Sequence, residues 1–422
     1  MTNPSFRGDR AVAIVDPMST GAYLPGEFRS QGWAPVAVLS SSRLPDVLTR
    51  TFRPDDFVAI VDEDGDVDAT VKQLRGHPVQ AVIAGAEPGV ELADALAERL
   101  GLPGNDGGNS RCRRDKVEMA ETVLAHGLRA PRTAAFDNAA DIIAWADALG
   151  IWPLVVKPRR SAGSDGVFFC ADPDSVQAAA HSLIGRTSRL GEVNDSVCVQ
   201  ELVSGQQYFV NTVSREGRHY VGEIWTDVRR PVPGHSLAYD HCDLLPVDGE
   251  QQRELVARVR EVLDALGVRW GPAHTEFVWT DSGPVLLEVG ARMEGTIKPE
   301  CVQAALGYSH VTRTVDLITD PEGFDRACAE PYRLRRFLRQ VCLIAPYDGV
   351  IADASLLSTT HVPSLAGVVG QVHTGRRVAK TIDMFTLPAT VYLLARTHDE
   401  LVRDTERVRA LEANGLYAPT AQ

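Results

Sequence analysis

The sequence predicts an α/β region followed by a mostly antiparallel α+β region, and three observations carry that reading. Short β-branched runs alternate with helical patterns up to about residue 109, and longer strand-like runs joined by hairpin turns come after them. At 422 residues and 44% hydrophobic, the chain can bury the cores of two or three domains. The alternating part reads AVAIVD, APVAVLS, FVAIVDE and VQAVIAG, the last leading into the helical VELADALAERLG, which is the signature of a parallel sheet. Its first strand turns through Pro17-Met18-Ser19-Thr20-Gly21 and lacks GxGxxG, so dinucleotide binding is discounted. The stretch LPGNDGGNS, residues 102 to 110, marks a boundary.

Two helices follow, DKVEMAETVLAHGL and DNAADIIAWADALG, the second closed by a C-terminal glycine. WPLVVKP reads as a buried strand and GVFFC as its partner; SVCVQELV and a hairpin turning at Glu216-Gly217 extend a mostly antiparallel sheet. The helix ELVARVREVLDALG then precedes a second hairpin. After about residue 333 the composition shifts to alternating strand and turn signals, closed by a charged helix DELVRDTERVRALEANG, which reads as a smaller α+β unit. The expected domains are 1–109, 110–332 and 333–422.

The net charge of −13 has acids and bases interspersed, which argues against nucleic-acid binding as the main task. Seven widely spaced cysteines with no CxxC pair suit a reducing cytoplasm and not a disulfide framework or a zinc site. No stretch approaches a membrane span, so a soluble, cytoplasmic protein is expected.

The chemistry concentrates in three places. In GPAHTEFVWTDSGPVLLEVGAR a hairpin centred on Ser282 sets Glu276 opposite Glu288 and puts Phe277, Trp279, Val285, Leu287 and Val289 on the other face. Like charges about 5 Å apart across a sheet destabilise it unless a metal ion, a lysine or an arginine neutralises them or water solvates them on an exposed face. Lys157 ends an apolar strand, where an ammonium costs energy unless it reaches water or an anion. The loop after it, Arg159 to Gly166, carries Ser161, Gly163, Ser164 and Gly166, whose backbone N–H groups and hydroxyls suit an anion. It does not match the GxxxxGK[ST] P-loop, and by itself it is equally an ordinary hairpin with a snorkelling lysine. Lys116 stands at a helix start, where helix-terminal N–H groups favour anions, and Arg292 lies four residues beyond Glu288. Together these are the parts that stabilise a transferring phosphoryl group.

Carried by RDK, VVKPRRSAGSDGV, VCVQELVSGQQYFV, HTEFV and LLEVGARMEG, in order and spacing, the chain resembles the ATP-grasp superfamily. Within it, the resemblance is to the carboxylate-amine ligases that include bacterial L-amino acid ligases making dipeptides. It implies an ATP-grasp fold with an N-terminal parallel α/β pre-grasp domain and a small C-terminal α+β domain. It implies that Lys116 and Lys157 contact ATP phosphates under the 161–166 loop, and that Gln200, Glu201 and Val203 form the adenine hinge. Glu276 and Glu288 match the magnesium ligands, two Mg2+ ions with Mn2+ as the alternative, and Arg292 matches the arginine that holds an acyl phosphate. Two positions depart from the pattern: Gln207 replaces an acidic ribose ligand, and Gly290 replaces an asparagine metal ligand, so water or substrate oxygens must complete the shell.

The implied activity is ADP-forming ligation of a carboxylate, an amino acid, to an amine through an acyl phosphate, with ATP and these small molecules as partners. Many relatives in that group are dimers, so a homodimer is compatible with it. Two alternatives stand beside it, a purine- or carboxylase-type enzyme with another acceptor and a nucleotide-binding protein without turnover. Glu294, Asp240 and His274 are candidates for the base that serves the amine. The basic run Arg333, Arg335, Arg336 and Arg339 reads as a solvated connector, with one member able to reach a substrate carboxylate as the alternative. The 19–21 turn, the 227–245 loop and the Gly295 to Lys298 turn are expected to line the acceptor pocket.

Overall fold

A computed structural model describes residues 9–42, 44–231 and 237–420. The N-terminal strands β1 (Ala11–Val15), β2 (Ala34–Leu39), β3 (Ala59–Asp62) and β4 (Val79–Ala84) form a parallel sheet in the order β3-β2-β1-β4. Both faces of β1 are buried, as expected of a run without polar alternation. At the carboxyl edge the loops after β1 and β4 cross so closely that a Cβ on Gly21 would lie 2.3 Å from the Gly85 carbonyl oxygen, so only glycine fits there. Ligands of open α/β sheets bind at such an edge, where the strand order reverses.

A second sheet, β5 (Thr133–Phe136), β6 (Leu154–Pro158), β7 (Phe168–Cys170) and β8 (Val197–Glu201), is antiparallel in the order β5-β8-β6-β7. The helices Ala139–Leu149 and Pro173–Leu183 cover one of its faces through Ile142, Ala146, Val176 and Ala179. Val155, Lys157, Phe169 and Gln200 of this sheet line a cavity.

The largest sheet has eight strands in the order β13-β12-β9-β10-β11-β14-β18-β16. It is built from β9 (Gln206–Arg215), β10 (Arg218–Pro231), β11 (Leu237–Asp243), β12 (Trp270–Thr280) and β13 (Gly283–Gly290), extended by β14 (Phe337–Cys342), β16 (Leu365–Val369) and β18 (Thr390–Ala395). The strands after residue 333 thus continue the central sheet. The remaining short strands β15 (Gly349–Ile351), β17 (Arg377–Val378) and β19 (Tyr417–Pro419) form a small sheet of their own. Phe277, Leu286, Val289, Trp225 and the helix Glu250–Ala265 build the main core under the central sheet. Val12 and Ile14 of β1 pack with Val213 of β9 and Met293, which welds the N-terminal unit to the rest. Among the described residues no helix is long and apolar enough to cross a membrane, and all seven cysteines are free thiols.

Two expectations change here. The β12–β13 hairpin closes at Thr280↔Gly283 over a two-residue turn and is not centred on Ser282. A bulge at Leu287 then shifts the register, and beyond it Glu276 still pairs with Glu288. Because of the bulge Leu286, not Leu287, faces the core, while Leu287 turns to the ligand side. The basic run is a solvated connector only in part: Arg333, Arg335 and Arg336 are exposed, and Arg339 is the exception. Arg339 is buried and makes a bidentate pair with Asp243 at 2.6 Å to each oxygen, and Arg335 lies across Gly307.

Candidate functional site

Between the β5–β8 sheet and the β9–β13 end of the central sheet lies a cavity of about 550 Å3. Lys116, Lys157, Ser161, Gly163, Ser164, Gln200, Glu201, Val203, Gln207, Glu276, Glu288 and Arg292 all line it. Gly166 does not. A Cβ there would meet Leu183 at 2.7 Å and Pro158 at 3.2 Å, so this glycine is required by packing at the base of the loop.

The acid pair is neutralised from within the chain. Lys116 Nζ sits 3.0 Å from Glu288 Oε1 and donates to the Ser161 carbonyl at 2.6 Å, so one ammonium ties the glycine-rich loop to the hairpin. Glu276 accepts from Gln207 Nε2 at 2.8 Å and faces His274 Nε2 at 3.4 Å. Burial works against its charge, yet His274, Arg229 and Lys157 outweigh burial and hold the carboxyl down to about 2. Gln207, expected to meet a ribose, lines the cavity and gives one N–H to Glu276. Burial lowers the Lys157 ammonium from its ordinary value, with Lys116 acting in the same direction and Cys198, Glu288 and Glu276 opposing.

Arg292 is placed by two residues. Its Nε lies 2.8 Å from Glu87 Oε2, and its guanidinium carbon would be 2.8 Å from a Cβ on residue 290. Gly290 thus makes the seat that Arg292 occupies, a physical reason for the departure seen in EVGAR. Glu87, at the turn after β4, also accepts from Arg114 Nη1 at 2.9 Å. Burial raises its pKa, but the two guanidinium groups bring it down to about 2. Neither Glu87 nor Arg114 was nominated from sequence. The available signal was the position of Glu87 in VIAGAEPG, just past the carboxyl end of a parallel strand.

Behind His274 lies a buried polar network that sequence reasoning also missed. Asn211 Nδ2 donates to Glu223 Oε2 at 2.9 Å and to Glu294 Oε2 at 3.4 Å, and its Oδ1 faces His274 Nδ1 at 2.9 Å. Burial, with the charge of Glu294, pushes Glu223 up to about 7, and burial raises Glu294 as well. Of the base candidates, Glu294 and His274 belong to this network. Asp240 is drawn elsewhere by Arg230 at 2.6 Å, His241 at 3.1 Å and Arg409, and these partners lower its pKa against the effect of burial.

The loop over the cavity takes left-handed backbone at Gly163 (φ 68°), Ser164 (φ 61°) and Gly166 (φ 62°). Ser164, the non-glycine among them, is tied by its hydroxyl to Tyr239 OH at 3.0 Å, and Arg229 stacks on that ring at 4.2 Å. At the opposite wall, Arg132 takes the Glu201 carboxylate outward through Nε at 2.8 Å. Of the acceptor-lining segments, Ser19 donates to the Gly295 carbonyl at 2.5 Å, which joins two of them, and residues 232–236 of the third lie outside the described residues.

A cavity clasped between two antiparallel sheets, with two lysines, a glycine-rich loop and an acid pair, is the arrangement that the resemblance to the ATP-grasp superfamily implies. Residues 151–300 match the ATP-grasp domain, and the chain has the ATP-grasp fold behind an N-terminal parallel sheet. Among curated proteins it is similar to dapdiamide A synthase of Enterobacter agglomerans, 26% identical over 413 residues that cover 96% of each chain. Among solved structures it is similar to the L-amino acid ligase from Bacillus licheniformis, with a TM-score of 0.75 at 18% identity over 98% of this chain and 100% of that one. The biotin carboxylase domain of Hydrogenobacter thermophilus 2-oxoglutarate carboxylase, in complex with MgADP and bicarbonate, gives a TM-score of 0.62 at 12% identity over 96% of this chain and 90% of that one.

Proposed function

We propose that this protein is an ATP-dependent, ADP-forming carboxylate-amine ligase that joins an amino acid to an amine. The observation that carries the proposal is Arg292, seated over Gly290 beside the Glu276–Glu288 pair and in one cavity with Lys116 and Lys157. Likeness to an amino acid ligase in fold and to dapdiamide A synthase over the full length supports the same reading.

In this account a carboxylate oxygen attacks the γ-phosphorus of ATP, ADP leaves, and an amine nitrogen then attacks the acyl carbon, loses a proton and expels phosphate. The chain's contribution is positional and electrostatic. Lys157 and Lys116 face the phosphates, the 161–166 loop covers them, and Gln200, Glu201 and Val203 border the purine. Arg292 orients the acyl phosphate, held in place by Glu87.

The donor set of the acid pair fits metal ions, because two carboxylates face each other across the hairpin and line the cavity, and Lys116, which holds Glu288 at 3.0 Å, would turn to the phosphates beside them. Glu276 and Glu288 would hold Mg2+, or Mn2+, whose chemistry there is to neutralise phosphate charge. Seven free thiols suit action in the cytoplasm.

Hydroxylamine trapping tests the intermediate. With ATP, Mg2+ and an amino acid panel, the account expects an amino-acyl hydroxamate formed together with ADP. ATP binding without any hydroxamate or ADP across the panel contradicts it.

A further inference from the structure

The glycine-rich loop is touched by a part of the chain that the ATP site does not otherwise use. The turn Met384–Thr386 belongs to the C-terminal unit, and its Phe385 ring lies 3.2 Å from where a Cβ on Gly163 would be, with the Met384 sulfur at 3.4 Å. Gly163 is therefore required twice over, by its left-handed φ and by this contact. Arg189 bridges the two segments. Its backbone N–H donates to Asp165 Oδ2 at 2.8 Å, its Nη2 reaches Asp383 Oδ2 at 3.4 Å, and its guanidinium covers the Phe385 ring at 4.9 Å.

The turn is stiff enough to act as an anchor. Asp383 Oδ1 accepts from the Thr386 N–H at 2.8 Å while the Thr386 hydroxyl accepts from the Asp383 N–H at 3.0 Å, a capping box that leaves Oδ2 for Arg189. Thr381, buried just before it, exchanges hydrogen bonds with Ala345, both at 3.0 Å, and so fixes the turn to the core of the C-terminal unit. On the opposite side the loop is held by Lys116 at Ser161 and by Tyr239 at Ser164. A loop carrying a non-glycine residue at φ 61° keeps that conformation only where its surroundings hold it.

We propose that Asp383, Phe385 and Arg189 are positioning residues for the glycine-rich loop, so that the C-terminal unit holds this loop over the nucleotide phosphates. The inference rests on reading the cavity as an ATP site. It gives the segment after residue 333 a task that its place at the edge of the central sheet does not reveal. None of the three touches the reacting atoms; they act through Gly163 and Asp165.

Hydrogen exchange of the full-length protein, read at residues 161–166 with and without MgADP and paired with KM for ATP, tests it. Phe385→Ala should speed exchange in the loop about tenfold and raise KM for ATP about fivefold, leaving the melting temperature and KM for the amino acid within error. Asp383→Asn keeps the cap, since asparagine caps as well as aspartate, and removes the charge; it should give a smaller rise that vanishes in an Arg189→Gln background. Phe385→Tyr should restore wild-type values. Wild-type MgADP binding with unchanged loop exchange and KM in Phe385→Ala overturns this inference alone. Failure of the wild type to bind MgADP overturns the ATP-site reading together with it.

Discussion

The two ends of the cavity are built differently. The charges of the phosphate end sit on local patterns, Lys157 with its loop and Glu276 with Glu288 on one hairpin, although Lys116 and Tyr239 tie that loop down from elsewhere. The acyl end is assembled from distant segments: Glu87 after β4 holds Arg292 after β13, and Asn211 of β9 holds His274 of β12. Local patterns create the charges that meet ATP, whereas the N-terminal unit and the buried network set where the carboxylate is received. Mutations at the first end should therefore remove turnover outright, and those at the second should weaken use of the carboxylate.

The largest effect separates the ends most sharply. Lys157→Ala should lower turnover about a thousandfold, since it removes a cation facing the transferred group, and steady-state ADP release checks it. Glu87→Gln should cost about thirtyfold in kcat/KM for the carboxylate while KM for ATP moves less than twofold, the range found when a group that orients a ligand is lost. It also leaves Arg114 and Arg292 without their buried carboxylate, which urea unfolding should register as a loss of about 3 kcal/mol. An equal rise in both KM values in Glu87→Gln erases the distinction between the ends.

How much of this was legible in the sequence follows the same division. The acid pair was readable because strand alternation and a short turn fix a register, and the opposed glutamates were found although the turn was placed one residue off. The bulge at Leu287 was not readable, because what selects Leu286 for the core is packing against residues outside the hairpin. The parallel N-terminal strands were legible from their unbroken apolar runs. Glu87 was invisible as a partner of Arg292, since no periodicity links residues that only the docking of two units brings together. Arg339 looked solvated because its counter-ion, Asp243, stands on another strand.

A smaller effect probes the buried network. Glu223 has its carboxyl pushed up from 4.5 to about 7, so between those values the folded chain keeps a proton that the unfolded chain has released. Stability should therefore fall as the pH rises from about 4.5 to about 7, by about 2 to 3 kcal/mol from this group. Glu223→Gln should flatten that fall, as urea midpoints at pH 5 and pH 8 will show. An unchanged difference between the two midpoints removes Glu223 as its source. The smallest effect belongs to the exposed rim. Glu201→Gln breaks the pair with Arg132, whose side chain is 55% exposed, and should cost about 0.5 kcal/mol or less in stability with KM for ATP unchanged, because Arg132 already takes that carboxylate.

The central claim is that one cavity couples ATP cleavage to joining a carboxylate and an amine. Counting ADP against condensed product, by mass, in a screen of paired amino acids tests it most directly. The account predicts one ADP per amide formed, with both signals requiring both partners and both lost in Lys157→Ala. ADP release that ignores the amine, or that appears with bicarbonate alone, contradicts it.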